Sequence, residues 1–145
     1  MTIKARTQAV AGRGKKGNDV LHVVESSLSV QEAALLLPEA AGRREFGVLG
    51  SHDLKGKLNE KGLAFDNDCL VFDVCSPRQA HEVLSADMRV ATALPCRIAV
   101  YRDGGTTKVA TIKPTALLEL FGAPKLRAAA EEVERSVFAI MDELR

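Results

Sequence analysis

Residues 97 to 112 set the narrowest limits on the fold. The run Arg97-Ile98-Ala99-Val100-Tyr101-Arg102 is followed by Asp103-Gly104-Gly105 and then by Lys108-Val109-Ala110-Thr111-Ile112. Two β-prone stretches around a glycine-rich turn make a hairpin, and a hairpin pairs its strands antiparallel. Late in a chain whose other segments alternate between strand and helix, it points to an α+β fold. The expected architecture is one mixed or antiparallel sheet of about five strands packed against helices, with a long C-terminal helix.

The remaining segments supply the other elements. Leu21-His22-Val23-Val24 suits a first strand and Phe46-Gly47-Val48-Leu49-Gly50 a second. Between them, Ser29 with Glu32 three residues on is a capping-box signature for a helix through Ala33, Ala34, Leu36 and Leu37. Pro38 either kinks that helix or starts another that ends near Gly42. Asp53 reads as the N-cap of a short helix through Leu54 and Leu58, closed by Gly62. Cys69-Leu70-Val71-Phe72-Asp73-Val74-Cys75 is the clearest buried strand, and Ser76-Pro77 then opens a helix through Ala80, Val83 and Leu84. Pro114 begins a helix that ends at Gly122, and Pro124 begins the last and longest element.

In that last element Leu126, Ala130, Val133, Val137, Ile140 and Leu144 recur in steps of four and three, a heptad-like seam. The preferred reading lays this seam across the domain's own sheet. The second reading uses part of it, Val133, Val137 and Ile140, as a dimer contact.

Composition removes several classes of function. At 145 residues and 15.6 kDa the chain is the size of one domain, able to bury roughly two-thirds of its unfolded surface without a disulfide or metal staple. Lys4, Arg6, Arg13, Lys15 and Lys16 precede the first acid, Asp19, so residues 1–19 read as a disordered basic tail and 20–145 as a single domain. Beyond that tail, basic side chains are outnumbered by acidic ones, and aromatic residues make up only 4% of the chain. Neither a basic face nor a base-stacking platform is therefore expected, which argues against nucleic acid as a partner. No apolar run nears the ~18 residues of a membrane span, and no secretory apolar core precedes the domain. A cytoplasmic protein without membrane contact is the expectation.

The residues that can carry chemistry are few. Three cysteines, Cys69, Cys75 and Cys96, form no disulfide framework and fit a reducing compartment. Cys69 and Cys75 stand six positions apart on one predicted strand, roughly 20 Å, which is beyond disulfide reach. Cys75 lies where a strand hands over to the helix capped by Ser76, a position whose partial positive charge favours a thiolate. Cys96 follows Pro95 at the start of the hairpin. The two thiols approach each other if their strands run antiparallel; a parallel crossover, which the intervening ten-residue helix makes natural, sets them at opposite edges. His81, on the same helix, is a candidate third ligand for a soft metal. Ser76, Arg78 and Arg97 are candidates for an anion site at the helix N-terminus. His52 beside Asp53 has the makings of a base with its orienting carboxylate, but Asp53 is better used as a helix cap.

Several stretches, taken in order, have a family likeness. They are Phe46-Gly47-Val48-Leu49, Asp53-Leu54-Lys55-x-Lys57-Leu58, Val74-Cys75-Ser76-Pro77-Arg78-Gln79-Ala80, Leu94-Pro95-Cys96-Arg97-Ile98-Ala99-Val100-Tyr101 and Ile112-Lys113-Pro114. From about Val20 to Leu144 the chain resembles the domain of unknown function 302 family, departing at Ser76, Pro38, His52 and Cys69. The resemblance implies a small α+β fold, commonly dimeric, and matches Cys75 and Cys96 to the family's two cysteine positions. It implies no activity and names no cofactor.

Three functions follow as expectations. The first is a binding or thiol-accessory module rather than an enzyme, homodimeric, in which Cys75 and Cys96 serve redox exchange, sulfur handling or a soft metal. The second is a noncovalent pocket for a small anionic metabolite at the helix after Ser76. The third is a structural dimerisation domain.

Overall fold

The computed structural model describes residues 20–145; the basic segment 1–19 lies outside the described residues. Five strands form one sheet in the order β1-β5-β4-β3-β2, and every neighbouring pair is antiparallel. The strands are β1 (Leu21–Ser26), β2 (Gly47–Asp53), β3 (Cys69–Cys75), β4 (Cys96–Asp103) and β5 (Thr106–Ile112). The predicted hairpin is β4–β5, with Gly104 at its tip at φ +63°, a conformation that glycine adopts without steric cost. The structure is thus α+β.

Helix α1 (Val30–Gly42) begins with the expected capping box: Glu32 N donates to Ser29 Oγ and Ser29 N to Glu32 Oε1. Pro38 sits inside this single helix rather than starting a second one. Its ring faces solvent, while Ala33, Leu37, Ala40 and Ala41 are buried, so packing on both sides of the proline holds the helix together despite the missing hydrogen bond. Asp53 caps α2 (Leu54–Glu60), accepting from Gly56 N at 2.9 Å.

The long C-terminal helix, α5 (Arg127–Asp142), follows a 3-10 turn at Pro124–Leu126. All six seam residues, Leu126, Ala130, Val133, Val137, Ile140 and Leu144, are buried inside the chain. Val133, Val137 and Ile140 therefore do not form a dimer seam. They belong to a main core with Phe46, Phe72, Val74, Ile98, Val100 and the buried face of α1. A sheet that exposes one apolar face must bury it against something, and α5 with α1 does so within the chain. The side of the sheet away from that core leaves Leu21, Val23 and Ile112 exposed at 41, 42 and 47%.

A second, smaller core gathers Val83, Val90, Leu126 and Ala129, with Leu94, Leu118 and Phe121 packed against it. It lies under α3 (Pro77–Ala86), a 3-10 turn at Met88–Ala93 and α4 (Pro114–Glu119). No helix among the described residues is long and apolar enough to cross a membrane.

Candidate functional site

The connection between β3 and β4 builds the site. Helix α3 leads away from the end of β3, and Met88–Ala93 brings the chain back, so β4 starts at the edge where β3 stops. The nine residues after α3 make this return possible, and the pair is antiparallel rather than a parallel crossover. Val74 pairs with Cys96, which sets Cys75 one rung from Cys96 at the same corner. Strand alternation puts Cys96 on the core side with Val74 and Ile98. Cys75, the last residue of its strand, lies where the chain turns into α3.

Both cysteines line one narrow, partly open cleft. The cleft runs between the two cores: Phe46, Val74 and Val133 come from the main one, and Val83, Leu94 and Leu118 border it from the smaller one. Pro114 and Leu117 close the side under α4. No Lys, Arg, Asp, Glu or His is among its lining residues.

That lining decides the state of the sulfurs. Burial pushes the Cys75 thiol above its usual value. Cys96 is pushed up to about 11, by burial first and then by the charge that Cys75 would carry. The expectation that the start of α3 favours a Cys75 thiolate is therefore corrected, because loss of hydration outweighs the partial charge of one helix end. Ser76 caps α3, its Oγ accepting from Gln79 N at 3.4 Å. Cys69 is half-buried at the far end of β3, and all three cysteines stand as thiols.

The raised Cys96 value has a consequence for alkaline stability. Folding holds the thiol protonated, so its contribution is complete below pH 9 and is lost as pH rises through about 11. Wild type should lose about 2–3 kcal/mol more than Cys96→Ala between those limits. Urea melts of both proteins across that range measure it; parallel curves would mean that the thiol is no less acidic when folded.

The charged candidates lie elsewhere. Arg78 donates to Glu132 Oε1 at 2.7 Å, on the surface. Arg97, next to Cys96, points to the opposite side of the sheet, with Nε 3.5 Å from Asp73 Oδ1. His81 is exposed on α3 and is not on the cleft wall. No group of three or more His, Cys, Asp or Glu able to hold a metal occurs among the described residues. The structure thus brings together Cys75, Cys96 and Ser76, and leaves Arg78, Arg97 and His81 outside.

The structure adds two side chains to those singled out from the sequence. Asp73, not Asp53, partners His52, with Nε2 to Oδ2 at 2.8 Å across β2 and β3. Gln79 is 5% exposed, lines the cleft and keeps an Oε1 with no hydrogen-bond partner. A signal for Gln79 was present, since Ser76-x-x-Gln79 has the spacing of a capping box. Here, unlike at α1, only the serine half of that box is formed.

Comparison with known proteins adds a family but no activity. The family profile described as Domain of unknown function DUF302 matches residues 22–144. A similar solved structure is the crystal structure of an uncharacterized conserved protein DUF302 from Bacillus stearothermophilus, at 34% identity and a TM-score of 0.84. The match covers 87% of this chain and 98% of that one. Comparison with curated proteins finds no match.

Proposed function

We propose that this chain, which belongs to the DUF302 family, is a binding module whose rim cleft takes a small, uncharged, largely apolar molecule without covalent chemistry. The observation that carries this reading is the cleft wall, which has aliphatic and aromatic side chains, two thiols favoured in their neutral form and no charged group. A mainly apolar concavity with a few polar atoms is the usual form of a small-molecule site. An anionic ligand would lose its hydration there and gain no cation, because Arg78 and Arg97 are turned elsewhere. Cys75 and Cys96 act in this reading as compact, polarizable wall residues. We place the protein in the cytoplasm, where such thiols stay reduced.

Titration of 15N-labelled protein with benzofuran, a neutral bicycle, and with benzoate tests the reading. Benzofuran should shift the amides of Cys75, Ser76, Leu94 and Leu118, and benzoate should not. Shifts confined to other parts of the chain, or a stronger response to benzoate, would overturn it.

A second reading concerns assembly. With the α5 seam inside the core, we propose that a homodimer forms through the outer side of β1 and β5. Leu21 pairs directly with Ile112 there, and Val23 with Ala110, giving a contiguous apolar strip that a second copy can cover. Val23→Asp should then convert a sedimenting dimer to a monomer while the helical signal of the fold is kept. A wild type that already sediments as a monomer would end this reading.

A further inference from the structure

A second groove lies between α4 and α5 and opens to solvent. Leu118 and Ala130 give it apolar surface, and its charged lining residues are Glu119, Arg127, Glu131 and Glu134. Arg127 Nε lies 3.2 Å from Glu131 Oε1, one turn along the same helix. Glu134 Oε1 accepts from Thr115 N at 3.2 Å and from Thr115 Oγ1 at 2.7 Å, which fixes this carboxylate where α4 begins. Carboxylates outnumber the one guanidinium among the described lining residues, so the groove is acidic.

The described residues begin beside this groove. Val20 O accepts from Lys113 N at 2.7 Å, and Thr115, just past Lys113, is a lining residue. Shortly before Val20 the sequence carries Arg13, Lys15 and Lys16, and Asp19 is the sole acid of residues 1–19. An extended chain covers at most ~3.3–3.6 Å per residue, so these cations can lie up to roughly 13–25 Å from Val20. By helix rise, Glu119 is about 6 Å along α4 from Thr115, and Glu131 about 4.5 Å along α5 from Glu134. All three carboxylates are therefore within reach. We propose that residues 13–19 dock in the α4–α5 groove of their own chain, with Arg13, Lys15 and Lys16 pairing with Glu119, Glu131 and Glu134. One exposed ion pair is weak, but the tether at Val20 keeps the cations at high effective concentration and several pairs act together.

Carbodiimide cross-linking of the full chain tests this, because the reagent joins a lysine amine to a carboxylate only where the two meet. An equal mixture of 14N- and 15N-labelled protein separates links within a chain from links between copies. Peptides joining Lys15 or Lys16 to Glu119, Glu131 or Glu134 should be recovered with both halves carrying the same isotope. They should be lost in ~0.5 M NaCl, where the screening length falls to about 4 Å. Mixed-isotope pairs would overturn docking within the chain and assign the contact to a second copy. Links spread over exposed acids elsewhere, such as Glu39 and Asp66, or no links from these lysines, would overturn the proposal outright. A chain carrying Glu119→Gln and Glu131→Gln, both exposed positions, gives a second readout. Its amide resonances for residues 13–19 should move to the positions that wild type shows in ~0.5 M NaCl. Resonances unchanged from wild type at low salt would count against the groove as the docking site.

Discussion

Val137→Asp is expected to abolish the folded state. Val137 is 0% exposed and sits in the main core between α5 and the sheet, with Ile140, Met141 and Leu144 around it. An aspartate there buries a carboxylate without a cation, or forces the helix away from the sheet. Either outcome costs more than about 4 kcal/mol, a large part of the stability of a domain this size. Circular dichroism should show no cooperative melt. A soluble, folded monomer carrying this substitution would return the α5 seam to a role between subunits.

Phe46→Ala is expected to have the next largest effect. Phe46 is buried where α1 turns into β2, and its backbone N–H donates to Ala41 O at 2.9 Å, which anchors the turn. Its ring belongs to the main core and also forms part of the cleft wall. Truncation should cost roughly 3–5 kcal/mol, read as a lower urea midpoint with an unchanged slope. The lost volume adjoins the cleft, so benzofuran should bind with altered affinity in this variant. A cost below about 1 kcal/mol would mean that the ring is not wedged between the cores, and the cleft would lose its inner wall.

Much of the fold was legible because its signals are local. The Ser29–Glu32 capping box, the Asp53 cap, the Ser76-Pro77 start of α3 and the Asp-Gly-Gly hairpin turn each act within a few residues, and each forms. The six-residue seam of α5 also announced a buried face from its period alone, and the preferred reading of it holds. Pro38 shows the limit of such reasoning, since propensity allowed a break and packing on both sides of the residue kept one helix.

The site was legible only in part. Strand-end positions and a family likeness singled out Cys75 and Cys96, and the antiparallel register brings them to one corner. Their protonation followed from something no local pattern carries: the apolar walls that α3, α4 and the Leu94 segment build around them. Arg97 was placed near the thiols by sequence distance, yet strand alternation sends its side chain to the other side of the sheet. The partner of His52 came from Asp73, twenty-one positions away, and not from its neighbour Asp53.

Local chemistry along the chain was therefore enough to specify the elements, their caps and the hairpin, because turns and helix ends are satisfied by residues close in sequence. Charge state, accessibility and the unfilled carbonyl of Gln79 depend on what lies across space from each group. They arose only once two separate cores closed around the end of β3, since desolvation belongs to an enclosure and not to a residue.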